Sequence, residues 1–124
     1  MQHTAKTVLT VDDSQTIRDM LLSALSAEGY EVVQAKDGQE GLECLQTLRP
    51  DAIITDINMP RLDGFGFIEG VRRDAHNRGV PILVLTTESE PHRKERARLA
   101  GATGWIVKPF HPEKLLAALR RVGA

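Results

Sequence analysis

The stretch IITDINMPRLDG, residues 53–64, decides the fold. An apolar run, Ala52-Ile53-Ile54, leads into a lone acid, Asp56, and a proline and a glycine then break the chain at Pro60 and Gly64. A continuous apolar run bounded by breakers suits a strand covered on both faces. Such a strand has no structural need to end on a carboxylate, so Asp56 requires a reason of its own.

Four other short runs resemble it. They are Val8-Leu9-Thr10-Val11, Val32-Val33, Ile82-Leu83-Val84-Leu85 and Trp105-Ile106-Val107. Segments of helical period lie between them. Ile17, Met20, Leu21, Ala24 and Leu25 paint one apolar stripe, with Ser14 as the expected cap and Gly29 as the stop. Gly41, Leu42, Leu45 and Leu48 mark a second helix, expected to run to Arg49-Pro50, because the residue before proline disfavours helical angles. Phe65, Ile68 and Val71 give a third, and Leu115, Leu116, Leu119 and Val122 a last one, with Pro112 in its first turn. The fourth helix, within HRKERARLAGA, has only Ala97, Leu99 and Ala100 for its stripe, so it is expected to be held loosely. Five strand–helix units with right-handed crossovers predict an α/β fold: a five-stranded, open, parallel, doubly wound sheet with five helices.

The chain of 124 residues reads as one domain over residues 1–124. Its 17 acidic and 16 basic residues give no bulk charge that argues for nucleic acid or membrane. Cys44 is the only cysteine, which excludes an intrachain disulfide, and it reads as a small buried hydrophobe. His3, His76, His92 and His111 are scattered without the spacing of a zinc site. No apolar stretch approaches a membrane span, and MQHTAKT at the start lacks the apolar core of a secretory signal, so a cytoplasmic protein is expected.

Ligands of open parallel sheets bind outside the carboxyl ends of the strands. In this chain those ends are Asp12-Asp13, Asp56, Thr86-Thr87 and Lys108-Pro109, whereas Ala35-Lys36 offers nothing comparable. Three carboxylates brought together repel, and a hard divalent cation such as Mg2+ removes the conflict. Lys108 supplies a compact positive charge for a phosphoryl oxygen, and the Thr86 hydroxyl one hydrogen bond. That set suits phosphoryl transfer with Asp56 as the nucleophile, which answers the question of its placement. Each residue alone has a plainer reading: Asp12 and Asp13 as turn acids or caps, Asp63 as a cap, Lys108 as a surface charge, Thr86 as a strand former.

The motifs VDDS, DINMPRLDG, LTTE and GWIVKPF, in this order over nearly the whole chain, resemble the receiver domains of two-component response regulators. The resemblance implies a flavodoxin-like fold with the sheet order 2-1-3-4-5, and that Asp56 accepts a phosphoryl group from a histidine kinase. It implies that Asp13, Asp56 and the Asn58 carbonyl bind Mg2+ directly, with Asp12 acting through water. Lys108 would pair with the phosphoryl group, Thr86 would move to bond it, and the Lys108–Pro109 peptide would be cis. Asn58 and Glu88 occupy positions that set how long the phosphoryl group survives, against a plain solvent-facing role.

Within the family the chain is most similar to stand-alone chemotaxis regulators of the CheY type, with no output domain. That implies a kinase of the CheA type, the flagellar motor switch protein as partner, and a monomer that is not an enzyme; a phosphatase is a further candidate partner, and whether a dedicated one exists is left open. On activation, the face of the fourth helix, fifth strand and fifth helix would change. Trp105 stands where the family usually has tyrosine or phenylalanine. It reads equally as a core filler or a partner anchor. The basic segment HRKERAR, residues 92–98, reads as a solvated face rather than a docking patch. Two alternatives stay open: a receiver that binds no motor and serves as a phosphate sink or regulates another complex, and a Mg2+-dependent phosphatase. The phosphatase reading expects Asp-x-Asp, whereas these acids are adjacent.

Overall fold

The computed structural model describes residues 5–124; His3 lies outside the described residues. Strands β1 (Thr7–Val11), β2 (Glu31–Ala35), β3 (Ala52–Thr55), β4 (Ile82–Thr86) and β5 (Gly104–Val107) alternate with helices α1 (Gln15–Ala27), α2 (Gly38–Cys44), α3 (Gly64–Arg73), α4 (Pro91–Ala100) and α5 (Pro112–Arg121). All neighbours in the sheet are parallel, in the order β2-β1-β3-β4-β5. The predicted architecture is the observed one.

Successive side chains of a strand point to opposite faces, so each strand feeds two cores. Leu9, Val11, Ile53, Ile82 and Val84 face one core, closed by Phe65, Phe67, Ile68 and Val71 of α3 and Ala97 of α4. Val8, Ala52, Ile54, Leu83 and Leu85 face the other, closed by Leu21 and Leu25 of α1 and Leu115, Leu116 and Leu119 of α5. Both sides of the central strands are covered, which is why their runs are apolar without interruption.

The helix boundaries follow local chemistry. The Ser14 hydroxyl accepts from Ile17 N at 3.2 Å, and Asp63 caps α3 by accepting from Gly66 N at 2.9 Å. Gly29 takes φ 89°, in the left-handed region glycine favours.

Three expectations need correction. Helix α2 stops at Cys44 rather than running to Arg49: its last turn tightens, with Thr47 N bonding Cys44 O at 3.3 Å, and the Arg49 guanidinium takes up the carbonyls of Leu45 and Leu48 at 2.8 and 2.9 Å. Met20 and Leu99 are 46% and 73% exposed, so neither belongs to its helix's buried stripe. Two positions along a helix turn by roughly 200°, so Leu99 cannot share a face with Ala97. The third is partial: His92, Lys94, Glu95, Arg96 and Arg98 of HRKERAR are exposed as expected of a solvated face, and only Arg93 and Ala97 depart from it. Arg93, Arg96, Ala97 and Ala100 stand at i, i+3, i+4 and i+7, and the guanidinium carbons of Arg93 and Arg96 lie 5.3 and 4.1 Å from the centre of the Phe65 ring. Helix α4 therefore rests on α3 largely through cations over an aromatic face.

Cys44 is half-buried, and burial pushes its thiol pKa above the ordinary value. Among the described residues no helix is long and apolar enough to cross a membrane.

Candidate functional site

The carboxyl ends of β1, β3 and β5 meet at one rim. Asp56 N donates to Val11 O at 2.9 Å, which sets Asp56 beside the first residue after β1, Asp12. Asp12 is held in turn, its N bonding Ala35 O at 3.1 Å and its Oδ1 accepting from Ser14 N at 2.9 Å. Lys108 follows β5, where its N bonds Thr86 O at 2.8 Å and its peptide to Pro109 is cis. Its Nζ then donates to Asp12 Oδ2 and Asp56 Oδ2, both at 2.9 Å. Asp12, Asp13 and Asp56 each present an oxygen within 4.8 Å of the others. Asp12 and Asp56 are buried and Asp13 is exposed, so the cup opens to solvent on the Asp13 side. His76, His92 and His111 join no such group among the described residues.

Two of the three carboxylates share the one ammonium, and the electrostatics show the deficit. Burial raises the pKa of Asp12; hydrogen bonds from Lys108 and Ser14 and the Lys108 charge lower it, the Asp56 charge raises it, and the net result lies above 3.8. Burial also works against the Lys108 ammonium, but its bonds to Asp12 and Asp56 prevail and hold its pKa above 10.5. Lys108 therefore keeps its charge, while the carboxylates remain short of cations. Hard oxygen donors with unmet negative charge fit a small divalent cation.

The loop after Asp56 is pulled back on itself. Gly64 N bonds Ile57 O at 2.8 Å, and a Cβ on Gly64 would stand 2.3 Å from the Asp56 carbonyl oxygen. Only glycine lets α3 start this close to the site, so the Gly64 that ends the opening stretch fixes the acid in place.

Two partners of this loop were not foreseen. The loop after β2 supplies Asp37, whose buried carboxylate receives Arg61 Nε at 2.8 Å and Nη2 at 3.0 Å. Arg61 adopts φ 65°, a rare conformation for a residue with a side chain. The signal was present in DGQE, residues 37–40: Asp37 accepts from Glu40 N at 2.8 Å while Glu40 Oε1 accepts from Lys36 N at 3.1 Å, a reciprocal cap. The second is Arg93, whose Nη2 lies 3.4 Å from Asn58 Oδ1 and whose Nε lies 3.3 Å from Glu88 Oε2.

Of the other residues singled out in the sequence, Thr86 is buried at the end of β4, but its Oγ1 accepts from Glu88 N at 3.2 Å and makes no bond to the acids. Asn58 is exposed and Glu88 half-buried, on the two loops that flank the cup. Trp105 is half-buried and lines a groove of about 230 Å³ with Pro91, Lys94, Arg98 and Thr103, away from the acids.

A family model described as "Response regulator receiver domain" matches residues 8–120. "Probable transcriptional regulator ycf27" of Guillardia theta is 41% identical over 119 residues, covering 96% of this chain and 46% of that protein. The chain thus spans about half the length of the curated relatives it matches. Among solved structures, chemotaxis protein CheY4 of Vibrio cholerae is 49% identical with a TM-score of 0.92, over 96% of this chain and 99% of that one. The receiver domain of sensor histidine kinase PA1611 from Pseudomonas aeruginosa, which carries a magnesium ion in its active site cleft, is 29% identical with a TM-score of 0.90, over 98% of this chain and 100% of that one. With its acids, its lysine and its sheet order in place, the chain belongs to the response regulator receiver domain family.

Proposed function

We propose that Asp56 accepts a phosphoryl group from a histidine kinase of the CheA type, and that the altered face of α4, β5 and α5 then binds a flagellar motor switch protein. The observation that carries this is the single ammonium of Lys108 held between Asp56 and Asp12, with Asp13 at the open side of the cup. A carboxylate oxygen of Asp56 attacks the phosphorus, the bond from phosphorus to the donor imidazole nitrogen breaks, and the imidazole leaves with the electron pair. Lys108 is placed to draw a phosphoryl oxygen and to neutralise part of the added charge. Asp12, Asp13, Asp56 and the Asn58 carbonyl would hold Mg2+, which when bound supplies further neutralisation of the phosphoryl oxygens.

Phosphorylation adds about −1.5 to −2 charges. Thr86 then exchanges its bond with Glu88 N for one to the phosphoryl group. Residues 87–90 follow Thr86 into α4, and Lys108 follows the strand of Trp105, so both ends of that face shift together. A change from 1:99 to 99:1 needs about 5.5 kcal/mol. A few charge-assisted hydrogen bonds are of that order. The protein acts as a cytoplasmic switch rather than as an enzyme on free substrates.

The chemotaxis assignment is supported by the 49% identity to CheY4 over 99% of that chain. A second reading, the same phosphotransfer directed to a regulator of another complex, is favoured by the 41% identity to ycf27. Radiolabelled phospho-kinase mixed with wild type and with Asp56→Asn tests the transfer: label must pass to wild type alone. A pull-down with motor switch protein, with and without beryllofluoride, separates the readings; no binding in either condition removes the motor.

A further inference from the structure

We propose that Arg93 is a positioning residue that ties Asn58 to Glu88 across the mouth of the acid cup and so sets how long a phosphoryl group on Asp56 survives. The inference rests on Asp56 being the phosphoryl acceptor.

Asn58 stands two residues beyond Asp56, on the loop after β3, and Glu88 two residues beyond Thr86, on the loop after β4. The loops share no backbone hydrogen bond. Arg93 of α4 reaches both. Its Nη2 is 3.4 Å from Asn58 Oδ1 and its Nε 3.3 Å from Glu88 Oε2. Its guanidinium carbon stands 5.3 Å from the centre of the buried Phe65 ring, which fixes the height of the fork above α3. Arg93 Nε is buried and without a well-aligned hydrogen bond, so the fork keeps donor capacity in reserve at the rim.

Loss of the phosphoryl group requires water at this rim. The water oxygen bonds to phosphorus, the bond from phosphorus to the Asp56 oxygen breaks, the carboxylate leaves, and the water proton passes to the phosphate or solvent. A loose Glu88 carboxylate would accept that proton or orient the water. Paired with the Arg93 guanidinium, the Glu88 carboxylate is held and partly neutralised, and the Asn58 amide is tied to the same fork. Arg93 thus restrains hydrolysis through two other residues without touching the reacting atoms.

Arg96 provides the control. It also stacks on Phe65, at 4.1 Å, but no hydrogen bond or ion pair joins it to Asn58 or Glu88. A role confined to seating α4 would make Arg93 and Arg96 equivalent.

The test uses the whole chain. Wild type, Arg93→Ala, Arg93→Gln and Arg96→Ala are labelled with acetyl [32P]phosphate and Mg2+, the donor is removed, and decay of protein-bound label is followed, with circular dichroism to establish folding. The expected result is decay about three- to tenfold faster in both Arg93 variants, the rate equivalent of one ordinary lost hydrogen bond, with Arg96→Ala unchanged. Decay in either folded Arg93 variant that matches wild type, or equal acceleration in Arg96→Ala, overturns the proposal. If wild type takes up no label, the acceptor assignment fails first and the inference falls with it.

Discussion

Lys108 Nζ stands 2.9 Å from both Asp56 and Asp12, so one ammonium serves two buried carboxylates while a third, Asp13, stands within 4.8 Å of them. Such a site is a source of instability until a further cation arrives. Burial holds the Asp12 carboxyl above its usual 3.8, so the folded chain grips that proton more tightly than the unfolded one. As pH rises through the interval between the two values, the native state loses stability, and the penalty is complete above the folded value.

Asp12→Asn keeps an oxygen for Ser14 N and deletes the charge. In chelator, its thermal midpoint should exceed that of wild type by a few degrees at pH 7, and the gap should close as pH falls below the carboxylate range. Magnesium should raise the wild-type midpoint more than the mutant's. A mutant less stable than wild type at pH 7 in chelator would contradict the charge deficit.

Gly64→Ala should cost about 1–3 kcal/mol, because its Cβ meets the Asp56 carbonyl at 2.3 Å and backbone must move. Gly79→Ala, with nothing within 4 Å, is the matched control and should stay within about 0.5 kcal/mol. Urea denaturation measures both. Phosphotransfer to the Gly64 variant should also slow, since the displaced carbonyl belongs to the acceptor residue.

Asp37→Ala removes the cap of α2 together with the Arg61 pair and should cost about 1 kcal/mol, whereas Asp37→Asn retains the cap. The hydrogen bonds from Arg61 hold the Asp37 carboxyl below its usual 3.8. Its contribution is therefore present above that value and lost as pH falls through the lower, folded one. Wild type and Asp37→Asn should converge in stability in strong acid; parallel curves down to the lowest pH would exclude a role for the charge.

Trp105 is the sole tryptophan, and it lines the groove beside α4. Beryllofluoride with magnesium should shift its emission in wild type and leave it unchanged in Lys108→Ala, which lacks the ammonium linking β5 to the cup. Equal shifts in both proteins would show that the signal reaches β5 by another route.

The strands and the acid cup were legible because each rests on local, short-range rules, whereas the sheet order came with the family resemblance. Apolar runs marked the strands, and the strand-end rule placed Asp12, Asp13, Asp56 and Lys108 together before any coordinates. The contacts between loops were less legible. Arg61 and Asp37 are 24 residues apart, and only the cap in DGQE hinted that Asp37 had work to do. The placement of the Arg93 and Arg96 guanidiniums over Phe65 was hidden because a basic stripe reads as solvated unless the ring beneath it is known. The extent of α2 was missed because Arg49, outside the helix, ends it by taking carbonyls that more helix would have used.

Helix α4 fully buries a single residue, Ala97, half-buries Ala100, and leans on Phe65 through two guanidiniums. Oily seams loosen in the cold because the water-ordering that drives them fades. A seam of charge against a ring quadrupole does not share that dependence. Helix α4 should thus keep its grip near freezing, when the rest of the interior has begun to slacken.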